Sequence, residues 1–226
     1  MKISKNLLPF FKNQISTLEL LQKNIFSKFP KEFKNYYAFG GGTALSLCYF
    51  QHRLSFDVDI FIYDNQLMNY IDPKIYFEEI EDIIDDYICM SHQINMITKD
   101  GIYINILSVE NLNPKKEKFL KLKENSILVE TPEEIIAKKI IHRKNDNKVR
   151  DLFDIAYAIN NNENFLNNLL KLKYIAKFDL KELYQSIKKV NKKEIEEELK
   201  IISPFKKLDN IILIITNNIE KVLFEK

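Results

Sequence analysis

Gly40-Gly41-Gly42-Thr43-Ala44-Leu45, followed by His52-Arg53-Leu54-Ser55-Phe56-Asp57-Val58-Asp59-Ile60-Phe61, is the stretch from which the fold is read. Three of the chain's four glycines stand side by side in it. A triple glycine in so glycine-poor a chain marks a place where bare backbone is required, because glycine alone tolerates positive φ and close approach to the main chain. The apolar run at residues 36–39 leads into the glycines, and residues 43–51 read as a helix with Thr43 as its N-cap. Residues 56–63 alternate as a strand does: Phe56, Val58, Ile60 and Ile62 to one side, Asp57, Asp59 and Phe61 to the other. A glycine turn feeding a helix offers N–H groups to a phosphate. Two aspartates on one strand face offer a seat for a divalent metal. Together they describe a site for a nucleoside triphosphate and its metal.

Outward from this centre, residues 3–26 read as an amphipathic helix, with Leu7, Phe11, Ile15, Leu18, Leu21 and Ile25 at helical spacing. Pro9 sets its regular part from about Leu8. Residues 73–87 predict a second helix, with Ile80, Ile83, Ile84 and Tyr87 inward and an acidic solvated face. Residues 88–98 and 102–109 predict strands joined by an Asp100-Gly101 hairpin turn. A Lys-rich polar stretch around Pro114 forms a junction. Beyond it, Thr131-Pro132-Glu133-Glu134 is a helix start of cap, proline and acids. Helical patterns then recur near 132–143, 150–160, 164–173, 179–190, 192–202 and 207–224. The expectation is an α/β domain over 1–125 and a helical domain over 126–226.

The 226 residues, 46% of them hydrophobic, suffice for a sizeable core in one or two domains. Apolar runs reach only about five residues, far short of a membrane span. The first dozen residues have neither the apolar length nor the small-residue cleavage site of a signal peptide. The expected setting is cytoplasmic, with no membrane. Cys48 and Cys89 stand alone, which argues against a disulfide framework or a zinc cluster and predicts two core-filling thiols. Residues 1–110 carry 10 Lys+Arg against 14 Asp+Glu, and residues 111–226 carry 24 against 18. The back half is where a polyanion would be drawn.

A second constellation is Thr131-Pro132-Glu133-Glu134-Ile135-Ile136-Ala137-Lys138-Lys139-Ile140, then Arg143, then Arg150-Asp151-Leu152-Phe153-Asp154-Ile155. With the glycine–HRxSxDxD stretch, it resembles the AbiEii/AbiGii toxin family, part of the nucleotidyltransferase superfamily with the DNA polymerase beta-like fold. The resemblance covers roughly residues 36–160. It implies an α+β fold: a mixed β-sheet nucleotidyltransferase domain flanked by helices, then an all-helical C-terminal domain contributing to the cleft. It also implies a toxin of an abortive-infection or type IV toxin–antitoxin system, with a cognate antitoxin. The implied reaction is Mg²⁺-dependent transfer of a nucleoside monophosphate from an NTP to an acceptor hydroxyl, tRNA 3′ ends being an acceptor type among relatives.

On that resemblance, Asp57 and Asp59 are the metal ligands, holding one or two Mg²⁺ ions. Gly41, Gly42 and Thr43 cradle phosphates, and Ser55 joins them as a motif residue. Lys139, which precedes an isoleucine as the family's lysine precedes Leu or Ile, reaches the triphosphate together with Arg143, four residues on. Arg53 binds phosphate or pairs with a motif aspartate. Asp151 and Asp154 share a helix face and serve as base or metal partner, or tie helices together in an ion-pair lattice. His52 is read as positional, and His92 and His142 as ordinary surface or strand residues. One departure stands out. The superfamily commonly carries a third carboxylate on a later strand, where this chain has Asn105, a neutral oxygen ligand and a poor base. Asp100 is close by in sequence but reads as the turn residue. Two alternatives therefore stay open: a catalytically weak nucleotide-binding or interaction protein of the same fold, and an enzyme whose acceptor is a protein or a small molecule.

Overall fold

A computed structural model describes residues 8–114, 118–202 and 204–224. They fall into two compact units. Residues Met1–Gln51 with Ser55–Thr131 form the first, and His52–Leu54 with Pro132–Lys226 the second.

In the first unit, helix α1 (Lys12–Asn24) buries Leu18 and Leu21. Ile3 and Leu7, expected on the same helix, lie outside the described residues. Strand β1 (Tyr37–Gly40) runs into α2 (Gly41–Leu45), which continues as a π-helical turn over Ser46–Phe50. Strand β2 (Val58–Ile62) follows, then the short α3 (Phe77–Ile80) and strands β3 (Ile84–Met90), β4 (Gln93–Thr98) and β5 (Tyr103–Ser108). The five-stranded sheet has the order β1-β2-β5-β4-β3. Only β2 and β5 pair in parallel; the other three pairings are antiparallel. A small hairpin, β6 (Phe119–Lys121) with β7 (Ser126–Leu128), completes the unit.

Alternation decides which sheet face is core. Val58, Ile60 and Ile62 on β2, Ile94 and Met96 on β4, and Ile104 and Ile106 on β5 are buried. The residues between them face the other way and stay partly exposed, so β2 presents Asp59 and Phe61 on the less buried face. The Asp100-Gly101 turn takes its expected place, with Gly101 at φ +78°.

Five local expectations are corrected. Residues 73–87 do not form one helix: two short helical turns end at Ile80, and Ile84 opens a strand. The β-branched Ile83 and Ile84 fit either pattern, and pairing with β4 decides for strand. Residues 88–98 are two strands folded at Ser91-His92 rather than one. The N-cap of α2 is Gly40, not Thr43, because Gly41 at φ +67° already begins the helix. Cys89 is exposed on β3, whereas Cys48 is buried and burial pushes its thiol up to about 12. Phe56, expected on the inner side of β2, precedes the strand and is exposed.

In the second unit, α4 (Pro132–Arg143) starts at the proline, as the cap-proline-acid pattern predicts. Helices α5 (Val149–Asn161), α6 (Phe165–Lys171), α7 (Lys177–Ile187), α8 (Lys192–Ile201) and α9 (Ile211–Phe224) follow. Helix α5 is buried nearly all round, as befits the centre of a helical core, and α9 buries Ile211, Ile215 and Ile219. Residues His52–Leu54 group with these helices: the His52 carbonyl accepts from the Phe205 amide at 2.8 Å, and Arg53 bridges to Pro204.

Candidate active site

Gly40 pairs with Asp59 across β1 and β2, and Asp59 pairs with Asn105 across β2 and β5. Three strands thus place the glycine turn, an aspartate and an asparagine in one row. A Cβ added to Gly41 would collide with the Asp59 carboxylate, reaching 2.7 Å from its Cγ. The turn is bare because the carboxylate occupies that space. On its other side, Asn105 Nδ2 donates to Asp59 Oδ1 at 2.8 Å. Gly40 is bare for its own reason: its Cβ would lie 2.6 Å from Glu130 Oε2 and against the Phe61 ring. Glu130, fully buried, accepts from Tyr63 Oη at 2.9 Å through Oε1. Sequence reasoning passed over Glu130; its one signal was an acid directly after the apolar run 127–129.

Thr43 does other work than expected. It is fully buried, and its hydroxyl donates to the Asp57 backbone carbonyl at 2.5 Å. That bond spends the proton a phosphate would need and pins the backbone at Asp57. Ser55 offers its carbonyl to Gln14 Nε2 at 3.3 Å, fixing the approach to β2.

Asp57 and Asp59 have the donor chemistry for a hard cation. Mg²⁺ is commonly held by one or two carboxylates together with substrate phosphates and water. Among the described residues, no cluster of three or more His, Cys, Asp or Glu side chains forms a metal cage. Asp59, whose carboxylate lies against the bare Gly41 turn, has the chemistry to share an ion with a triphosphate.

The remaining motif residues meet within the second unit. Asp154, fully buried, accepts from Arg53 Nε at 2.6 Å, Arg53 Nη2 at 2.8 Å and His52 Nε2 at 2.7 Å, and lies 3.1 Å from Lys139 Nζ. Lys139 also pairs with Asp151, which Arg143 Nη1 reaches at 3.3 Å. The His52 ring stacks on Phe153 at 5.7 Å. Of the two readings for Arg53, the aspartate pairing is the one seen. Burial would raise the Asp154 carboxyl, but Arg53 and Lys139 beside it hold it well below the usual carboxylate range. The same opposition, with Lys139 and Arg143, lowers Asp151. Carboxylates so held are poor proton acceptors. Lys139, only 7% exposed between two of them, has its charge compensated inside the protein, whereas Arg143 keeps a side chain 40% exposed. This is the ion-pair lattice.

Comparison with known families gives this arrangement its context. The model of the AbiEii nucleotidyl transferase toxins of type IV toxin–antitoxin systems matches residues 25–208. The chain belongs to the AbiEii family. AbiEii membership makes it a nucleotidyltransferase, and a type IV toxin family implies an antitoxin counterpart and an NTP substrate. Among solved structures, the MenT4 nucleotidyltransferase toxin of Mycobacterium tuberculosis is similar, with TM-score 0.53 and 14% identity over 96% of this chain and 84% of that one. JHP933 of Helicobacter pylori gives TM-score 0.46 and 18% identity over 92% and 91%. At these identities the MenT4 likeness speaks for the α+β fold alone. No curated protein matches the chain. Among the described residues, no helix is long and apolar enough to cross a membrane.

Proposed function

We propose that this AbiEii chain transfers a nucleoside monophosphate from an NTP to a hydroxyl at the 3′ end of an RNA, a tRNA in particular, with Mg²⁺ as cofactor. The observation that carries the reading is Asp59 seated between the bare Gly41 turn and Asn105. In this reading the backbone N–H groups of Gly41 and Gly42 bind the triphosphate, and Asp57 and Asp59 hold the metal. When bound, Mg²⁺ would neutralise charge on the transferring phosphoryl group. The acceptor oxygen bonds to the α-phosphorus, the bond to the bridging oxygen breaks, and pyrophosphate leaves. Asn105 orients Asp59 but takes no proton, so the hydroxyl proton passes to Asp57 or to water. In this reading the lattice of Arg53, Lys139, Arg143, Asp151 and Asp154 is structural: it ties Arg53 to helices α4 and α5.

The test supplies each α-labelled NTP with Mg²⁺ and total RNA, protein or small-molecule fractions. Label entering RNA supports the reading. Label entering only protein or only small molecules replaces the RNA acceptor, and NTP binding without transfer to anything overturns the reaction.

A further inference from the structure

The sheet face that carries Asp59 does not stop at Asn105. Asn105 pairs in register with Asn95 on β4, and Asn95 with Ile88 on the edge strand β3. Directly paired residues share a face, so one row runs Asp59, Asn105, Asn95, Ile88. Tyr103 and Ile97, paired with each other, form the adjacent row. This face is open: Tyr103 is 58% and Ile88 59% exposed. Its amides are oriented. Gln93 Nε2 donates to Asn95 Oδ1 at 2.8 Å, and Asn105 gives its Nδ2 to Asp59. Asn95 Nδ2 and Asn105 Oδ1 are left as a neighbouring donor and acceptor.

We infer that this face seats the reacting nucleoside of the acceptor RNA, with Tyr103 stacking its base and Asn95 binding the base edge. The inference rests on the reading under "Proposed function". Three observations fix the occupant. The Gly41 turn, which binds the phosphates in that reading, lies on the β1 flank of Asp59, and an in-line displacement brings the nucleophile from the side opposite the leaving group. The acceptor therefore approaches over β5 and β4. Asn95 lies two strand spacings from Asp59, about 10 Å, the reach from a ribose hydroxyl to its base. Among the described strand residues, this face carries an aromatic ring and amides but no cation; apart from Asp59 its charge is Asp86, at the far edge. It thus suits the uncharged base and sugar of an unstacked terminal nucleotide, the form in which single-stranded RNA is read.

The experiment measures KM for a single-stranded RNA oligonucleotide and for the NTP in the full chain, comparing wild type with Tyr103→Ala, Tyr103→Phe and Asn95→Ala. Tyr103→Ala raises the RNA KM by about five- to a hundredfold, the range of one lost base stack, while the NTP KM and kcat stay within about twofold. Tyr103→Phe restores the RNA KM, and Asn95→Ala raises it. A 3′-terminal 4-thiouridine in the RNA crosslinks to β4 or β5. An unchanged RNA KM in both alanine variants overturns the inference, as does a raised NTP KM, which would place the NTP base here, or a crosslink elsewhere. A wild type that labels no RNA sinks the underlying reading, and this inference with it.

Discussion

Gly41 and Asp59 occupy mutually exclusive space: a Cβ on the first would overlap the carboxylate of the second. Gly41 is thus a fitted recess for the Asp59 carboxylate. Gly41 sits at φ +67° to make it.

Replacing Gly41 with alanine displaces Asp59, and a displacement near 1 Å costs about a hundredfold in kcat. Gly101→Ala is the control. That position also has positive φ, +78°, but its added Cβ meets nothing within 4 Å. Steady-state kinetics and thermal melts on both variants separate the two causes. Gly101→Ala loses stability without loss of kcat, whereas Gly41→Ala loses kcat.

Asn105→Asp replaces a donor to Asp59 with a like charge. Without metal the two carboxylates repel, and with metal they form a stronger site. Melting in EDTA falls by several degrees relative to wild type and recovers with Mg²⁺, and calorimetry gives tighter Mg²⁺ binding. A melting temperature indifferent to Mg²⁺ contradicts the metal assignment.

Asp154→Asn leaves Arg53 and Lys139 as buried cations without their shared counter-charge. The cost is about 3–5 kcal/mol, read from urea unfolding. Asp151→Asn costs less, because one of its two cationic partners, Arg143, is partly in water.

These groups also set the acid response. Burial holds the His52 imidazole below its ordinary value, outweighing the Asp154 hydrogen bond and charge that raise it. The unfolded chain therefore takes up the His52 proton first, so this contribution is complete above pH about 6.5 and is lost as pH falls. Asp151 and Asp154 are also depressed. Their contribution is complete above about pH 4 and is lost as pH falls through their lower folded values. Urea midpoints from pH 8 to 3 decline in two stages, and His52→Gln, which keeps a donor without titrating, flattens the upper one.

What the sequence disclosed follows from the range of each interaction. The alternation from Val58 to Ile62 and the proline start at Pro132 are local patterns, and the structure keeps both. The isoleucine spacing of residues 73–87 suits a helix or an edge strand alike, and the deciding partner, β4, comes later in the chain. Arg53 reads equally as a phosphate or an aspartate partner in sequence because Asp154 lies 101 positions away. The Thr43 hydroxyl bond to Asp57 and the burial of Glu130 behind Gly40 likewise depend on tertiary contacts.

The most direct test of the central claim, that the Asp57–Asp59 pair beside Gly41 is the reaction centre, is single-turnover transfer from α-labelled NTP to RNA at saturating Mg²⁺. Wild type is compared with Asp57→Asn and Asp59→Asn, each shown to be folded by circular dichroism. The account predicts that either substitution lowers the rate by about a thousandfold or more, as loss of a major electrostatic group does. Transfer by Asp59→Asn at the wild-type rate would contradict it.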